Sequence, residues 1–506
     1  MRSAELIVVG AGSAGSVIAA RASENSARSL LLIEAGRDYP DPAKLPRDLQ
    51  DGGRNSLHLH DWGYRHKPTL ESWVFRFPRG RVVGGSSAVN TCIALRGQPA
   101  DYDEWAERGL REWSWPSCLP AFRRIERDLD FHNEWHGSDG PLPLRRHPPE
   151  ELAAWQAGFV EACLELGYPA CADSNAPNSH GVGPHAMNKV DGRRISAAEA
   201  FLTPSVRARD NFELRAETLV RRVLFRDRRV IGLELQARDG VETVHADHVV
   251  LCAGAINTPG ILLRSGIGPR ADVERLGCEV VVDLPPVGER LLDHPGTAIF
   301  LRPRLFGRTS RHAPLIQTVL RYATEGSNHP SDMLLQPGSR LTLSGWDMPL
   351  VSLMCAVGKP RAHGVLRFTS ADANAKPWIE SRMLEDPHDR ALAVDAMQLA
   401  QRLSQTRPLR SLATNFWPSA RVLRDRARTD GWIRRACDSG YHPCGTVPMG
   451  ADGDPRAATD GRGRVRGVEG LTVADASLMP TIPSSNINLA SLMIGERFGC
   501  WLRDEG

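Results

Sequence analysis

Leu6-Ile7-Val8-Val9 is an unbroken apolar run, the pattern of a parallel strand covered on both faces. The glycine-rich string Gly10–Gly15 (GAGSAG) follows it, and apolar residues then continue through Val17, Ile18, Ala19 and Ala20 into Arg21, which predicts a helix. A second apolar run, Ser29–Ile33, ends at Glu34. Together these stretches predict the strand–turn–helix–strand opening of a dinucleotide-binding unit. Residues 37–80 are rich in Pro, Asp, Gly and His and predict long loops, and tryptophans cluster among turns between 105 and 135. A helix over Glu151–Leu166 opens a different unit. Strands are expected at Phe212–Leu214, Arg222–Phe225, Val230–Gln236 and Val244–Cys252, the last running through Ala253-Gly254-Ala255 into a helix. Residues 296–440 carry mixed strand and helix signals and are assigned most of a substrate-facing unit. The chain closes with a strand at Leu471–Val473, a loop, and a helix from about Asn488. No internal repeat or low-complexity tract interrupts this pattern.

A chain of 506 residues exceeds one simple core, so two intertwined domains are expected. Apolar residues at 41% and charged residues at 24% are ordinary globular values, and a net charge of +3 gives no reason to invoke nucleic acid or an acidic membrane surface. Only five of the 63 basic residues are lysine, so Arg221–Arg222 and Arg424–Arg428 read as solvated surface rather than binding patches. The ten cysteines include no CxxC pair or zinc spacing, and His58, His60, His66 and His442 show none that demands a metal; no metal site is expected. Cys92, Cys252, Cys355 and Cys500 lie in apolar stretches as inert thiols, which fits a reducing, cytoplasmic compartment. No signal segment precedes the first strand, and no apolar run approaches the ~20 residues of a membrane helix. Nothing in the sequence assigns an oligomeric state.

The glycine string has a mechanism. Gly10 permits the tight turn, Gly12 lets backbone approach a pyrophosphate, and Gly15 lets helix and strand pack closely. The helix start beyond it offers free N–H groups and a favourable dipole to phosphate. Glu34, closing the second strand, suits the hydroxyls of an adenosine ribose. A carboxylate there argues against a 2′-phosphate, hence against NADP, but leaves FAD and NAD both open.

Two further segments separate those cofactors by resemblance. Gly80–Asn90 (GRVVGGSSAVN), continuing through Ala94, Gly97 and Asp103, resembles the first signature of the glucose–methanol–choline oxidoreductases, and Gly254–Gly268 resembles the second. Tyr441–Thr446 with Met449-Gly450, and Val473–Ser477 through Asn486-Ile487-Asn488 to Ile494-Gly495-Glu496, are similar to two C-terminal blocks of that family. Only about 300–440 lacks a family marker. The resemblance implies an α/β fold: a Rossmann-like FAD-binding domain from residues 1–150, 195–295 and 455–506, and an α+β substrate domain on an antiparallel sheet from 151–194 and 296–454. It implies FAD held by Gly10, Gly12, Ser13, Gly15, Glu34, Ala35, Trp62, Val83, Gly85, Asn90, Thr91, Cys92, Ile93, Val220, Ala253, Asp475, Ala476 and Asn486. A structural tryptophan at 62 and a plain strand valine at 220 explain those two residues as well.

The implied reaction is oxidation of a primary or secondary alcohol to a carbonyl, electrons passing to O2 or another acceptor. Removing hydride from the carbinol carbon requires a base for the hydroxyl proton, and a neutral imidazole suits neutral pH. By resemblance that base is His442. Asn488 matches a position that carries His or Asn in relatives; its amide can hydrogen-bond the alcohol oxygen, though an asparagine here also reads as a cap of the last helix. The start of that helix would turn its positive end toward the flavin.

One departure bears on the cofactor. Choline oxidases carry a histidine bonded covalently to FAD within the first signature; the aligned residue is Val89, so FAD is expected to be non-covalent. Cys92-Ile93-Ala94 and Met493–Arg497 otherwise resemble the choline-oxidase branch, which does not make choline the substrate. Hydroxynitrile lyases and fatty-acid photodecarboxylases use the same scaffold without net alcohol oxidation, and a flavin-binding protein without turnover is a third reading; the His442/Asn488 pair favours oxidation over both. Trp346, Met348, Met354, Trp378 and Trp417 are consistent with an aromatic pocket, and equally with core packing.

Overall fold

The computed structural model describes residues 3–505, apart from 308–309, 311–312 and 344–345. The opening pattern folds as the periodicity requires. Strand Ser3–Val9, helix Ser13–Ala22 and strand Leu30–Ile33 form a right-handed unit whose strands are almost wholly buried from Leu6 onward. Ser3–Val9 pairs in parallel with Leu30–Ile33 on one side and with the C-terminal half of Gly240–Leu251 on the other. Phe212–Arg215 and Leu471–Val473 extend this sheet in parallel at its two ends. The N-terminal half of Gly240–Leu251 instead pairs with an antiparallel meander, Leu219–Arg226 and Arg229–Ala237. One long strand thus serves two ladders.

The second sheet is antiparallel, ordered Ala413–Trp417, Pro295–Pro303, Val351–Val357, Met333–Gly338, Thr318–Tyr322 and Gly181–Pro184, with Asp438–Ser439 added beside Pro295. Its faces follow the period of two. Ile299, Leu301, Leu335, Leu353 and Cys355 point to a core shared with Trp155 and Phe159 of helix Ala154–Glu165 and with helix Pro387–Gln405. Ala298, Phe300, Leu334, Gln336, Met354 and Ala356 face the other way, into a cavity between the two sheets.

Contacts cross between the expected domain segments in two places. Trp378–Glu380 pairs with Tyr64–Lys67, which joins two segments assigned to different domains. Leu366, Phe368, Ile379, Cys444, Val447 and Met449 pack into the core of the first sheet rather than the second. Among the described residues no helix is long and apolar enough to cross a membrane. Of the aromatic and Met residues considered for a pocket, only Met354 lines the cavity; Met348, Trp378 and Trp417 are 38%, 47% and 47% exposed, and the side chain of Trp346 lies outside the described residues.

Candidate active site

The sheets enclose a continuous cavity of about 590 Å³, open to solvent. At one end it is lined by the first glycine turn. Gly10 has φ +99°, and a Cβ there would lie 2.5 Å from the Cys252 carbonyl oxygen. A Cβ at Gly15 would lie 1.9 Å from the Gly10 carbonyl, so helix and strand can touch only through hydrogen. Gly12 differs: a Cβ there meets only the Gly85 Cα, at 3.9 Å. Gly85 itself has φ +54°. The two glycines bound a space that two small groups keep open, and the helix beginning at Ser13 has no side-chain cap on its first N–H groups. That is the donor set and the room a pyrophosphate requires.

A second helix start arrives at the same place. Ile487–Asp504 packs against Ser13–Ala22 through Gly495 and Gly499, where a Cβ would come within 2.6 Å of the Ala14 oxygen and 2.7 Å of the Arg21 Cβ. This contact brings Asn488 to Ser13, whose Oγ donates to the Asn488 Oδ1 at 2.8 Å; the Asn488 Nδ2 is buried without a partner among the described residues. Glu34 accepts from the N–H groups of Ala11 at 2.9 Å and Gly36 at 2.8 Å, and burial raises its carboxyl to about 7. Asp475 accepts from Gly254 N and Thr258 Oγ1, tying the loop after Leu471–Val473 to the helix start at Gly254. Ala35, Trp62, Asn90, Thr91, Ile93, Val220, Ala253 and Ala476 line the cavity as well. Trp62 stacks on Tyr64 at 6.0 Å with the Arg81 guanidinium 4.8 Å from its ring.

Three residues expected to contact the cofactor, Gly15, Val83 and Cys92, are not in the lining. Val83 packs into the first core, and Cys92, at φ +63° and fully buried, points into a small apolar cluster with Leu95 and Met187. Asn90, Thr91 and Ile93 of the same segment do line the cavity.

At the other end stands His442. Its Nε2 lies 2.9 Å from the Nδ2 of Asn486, not from Asn488. The expected pairing of His442 with Asn488 is therefore not what the geometry shows: Asn486, one residue before the last helix, reaches the imidazole, while Asn488, in its first turn, faces the glycine turn. The His442 Nδ1 lies 2.9 Å from the Nδ1 of His294, a residue with no distinguishing sequence signal. His294 Nε2 faces the carbonyls of Gly358 and Pro483, each at 3.0 Å. Carbonyls only accept, so His294 Nε2 carries a hydrogen. Burial holds His294 at about 4, hence neutral, which leaves its Nδ1 as an acceptor. His442 must then donate from Nδ1, and its Nε2 lone pair faces Asn486 and the cavity. Burial, with the Arg79 guanidinium nearby, pushes the His442 pKa well below that of a free imidazole.

The loop that carries His442 is held by Asp293. Its carboxylate accepts from Ser439 Oγ, from His442 N at 2.9 Å and from His294 N at 2.8 Å. Tyr441 adopts φ +64°, a left-handed conformation uncommon for a bulky residue, and Ser439 Oγ accepts its N–H at 2.6 Å. Gly440 leaves room for the ring: a Cβ there would stand 3.0 Å from the His442 Nδ1, tighter than ordinary contact. The Asp293–His294 pair thus fixes position and tautomer together.

Comparison with known proteins agrees with this architecture. A family model for GMC oxidoreductases matches the chain over residues 4–296 and 360–495. A 5-(hydroxymethyl)furfural oxidase of Methylovorus sp. (strain MP688) is 33% identical over 530 residues, covering 97% of both chains. An oxygen-dependent choline dehydrogenase of Photobacterium profundum is 32% identical, covering 97% of this chain and 92% of its own. The crystal structure of pyridoxine 4-oxidase from Mesorbium loti superposes with a TM-score of 0.90 at 30% identity, over 98% of each chain.

Proposed function

The chain belongs to the GMC oxidoreductase family of FAD-dependent enzymes, and from that premise we propose that it oxidises a primary or secondary alcohol to a carbonyl with His442 as the base. The observation that carries the reading is the tautomer: an Nε2 lone pair facing the cavity, enforced by His294 from behind. FAD supplies the hydride acceptor when bound. The chain's own residues do the rest. His442 Nε2 takes the hydroxyl proton as the carbinol hydrogen leaves as hydride, and the resulting imidazolium keeps its Nδ1–H on His294. Asn486 Nδ2, which donates to Nε2 in this structure, is placed to donate to the alcohol oxygen and orient it. Asn488 acts at the cofactor side, where it and the start of the last helix line the cavity.

The residues of the glycine turn, Glu34 and Asp475 hold FAD in this reading. Val89 lines the cavity with no atom able to bond it covalently, so the cofactor is non-covalent. Electrons leave to O2 or another acceptor. Ten free cysteines support a reducing, cytoplasmic compartment. The test is anaerobic: purified yellow enzyme is mixed with an alcohol panel and the flavin band followed. Bleaching by an alcohol supports the reading. Absence of bleaching by every member of a broad panel contradicts it. Acid precipitation separates the cofactor question, since colour kept in the washed pellet would contradict a non-covalent FAD.

A further inference from the structure

The two carbonyls that hold His294 come from distant segments, and their meeting has to be enforced. Gly358 directly follows strand Val351–Val357, and Pro483 lies on the loop before the last helix. Both oxygens stand 3.0 Å from the same His294 Nε2. Two carbonyl oxygens converging on one N–H repel each other through their like partial charges, so the shared hydrogen bond does not by itself keep both in place. Lys359, next to Gly358, reaches across: its Nζ donates to the carbonyl of Ile482, next to Pro483, at 2.9 Å. The other side of Pro483 is held by Asp101, which accepts from Ser484 N at 3.0 Å and from Ser484 Oγ at 2.8 Å. Lys359 Nζ also lies 3.2 Å from Asp101 Oδ1 and 2.8 Å from Glu104 Oε2, so the three donors of one ammonium meet three acceptors. Asp101 and Glu104 sit on helix Pro99–Glu107, and one cation thereby ties that helix, the antiparallel sheet and the C-terminal loop at a single point. His329 completes the cluster: its Nδ1 accepts from Ser331 N at 3.1 Å, and its Nε2 donates to Asp101 at 3.2 Å.

We infer that Lys359 and Asp101 are positioning residues for the base: together they clamp the Gly358 and Pro483 carbonyls at the spacing that keeps the hydrogen of His294 on Nε2, and so keep its Nδ1 free to accept from His442. This rests on the alcohol-oxidising reading above. Neither residue lines the cavity, so the influence of both runs through His294. Burial favours a neutral Asp101, but Lys359 and His329 outweigh it and hold its carboxyl well below the usual carboxylate range. The clamp is therefore ionised wherever the two imidazoles are neutral. Once it is loosened, one carbonyl withdraws and the His294 ring can carry its hydrogen on Nδ1 in part of the molecules. In those molecules His442 has no acceptor behind it, and its Nε2 is no longer fixed as the basic nitrogen.

The experiment uses the holoenzyme and anaerobic flavin reduction by any alcohol that bleaches the parent. Lys359→Met keeps the length of the side chain and removes its charge and its donors. The variant should retain FAD and lose about 3–10-fold in the limiting reduction rate, within the range of coupling between residues of one hydrogen-bond network, with the apparent affinity for the alcohol unchanged. In a His294→Phe background the same substitution should cost nothing further in rate, because the path it acts through is gone. No loss in the parent background, or an equal loss in both, overturns the inference. Lys359→Met leaves Asp101 buried without its counter-charge, which is strongly destabilising, so the Lys359→Met/Asp101→Asn variant, with both charges removed, carries the same test where the single variant does not fold. A second readout needs no turnover. Nitrogen NMR of isotope-labelled histidine, with the His294 signals assigned by their loss in His294→Phe, should show a single Nε2–H tautomer in the parent and a mixture of tautomers in Lys359→Met. An unchanged tautomer overturns the inference. If the tautomer shifts as expected while no alcohol bleaches the flavin, the clamp stands and the alcohol reading fails instead.

Discussion

Replacing His294 by Phe removes the acceptor behind the base. In the resting site the Nδ1–H of His442 loses a neutral hydrogen bond, and at the transition state, where the ring is becoming an imidazolium, it loses a charged one. Neutral bonds contribute ~0.5–1.5 kcal/mol and charge-assisted ones ~1.5–3 kcal/mol. The difference, about 1–2 kcal/mol, acts on the barrier and slows proton removal roughly 5–30-fold. The ground-state loss falls on stability, since the carbonyls of Gly358 and Pro483 are also left without their donor. His294→Asn separates these effects. An Asn Oδ1 occupies about the position of the imidazole Nδ1 and can accept from His442, while nothing reaches the two carbonyls. The assay is stopped-flow flavin reduction across pH, with thermal unfolding measured alongside. His294→Phe should be slow and less stable; His294→Asn should recover most of the rate but little of the stability. Equal rates in parent and both variants would refute the tautomer argument.

Gly12→Val should fold normally, because its Cβ has open space, yet purify without FAD; Gly15→Ala, with a Cβ 1.9 Å from a carbonyl, should not fold, and normal flavin content in either variant would contradict the glycine reading. Asn486→Ala should slow flavin reduction about tenfold with FAD retained, the loss of one hydrogen bond to the reacting groups. Asn488→Ala should mainly weaken FAD binding, measured by fluorescence of released flavin, and a reversal of these two phenotypes would restore the other assignment. Burial lowers His185 and His294 from 6.5 to about 4, so the unfolded chain binds more protons than the folded one below pH 6.5. Their contribution to stability is present above pH 6.5 and lost as pH falls toward 4; the midpoint of thermal unfolding should drop from pH 6.5 to 5, and a flat profile there would count against neutral buried imidazoles.

The first sheet was legible because its strands are short apolar runs punctuated by glycines whose positions only glycine can fill; Gly10 and Gly15 show why. The glycine turn and Glu34 line the cavity where the pattern put them. The active-site end was harder. His442 could be picked out only by resemblance, and the two asparagines, two residues apart, could not be told apart without knowing where the last helix starts. Its start at Ile487 turns Asn486 toward the imidazole and Asn488 toward Ser13. His294 is one of sixteen histidines and gives no periodic or spacing signal; its role comes from the strand geometry that sets it behind His442. Val83 and Cys92 turn their side chains into apolar clusters, and no pattern of apolar positions records which side each one faces.

The most direct test of the account is flavin reduction in His442→Ala, followed anaerobically with any alcohol that bleaches the parent. The account predicts that the variant keeps its FAD and is reduced ~10²–10⁴ times more slowly, the usual loss for a positioned base. The parent should hold its full rate down to pH values below 6.5, because its imidazole is held neutral, and fall off only on the acid side; the variant should lack that acid limb. Reduction of His442→Ala at the parent rate, with the same pH profile, would place the base elsewhere and contradict the account.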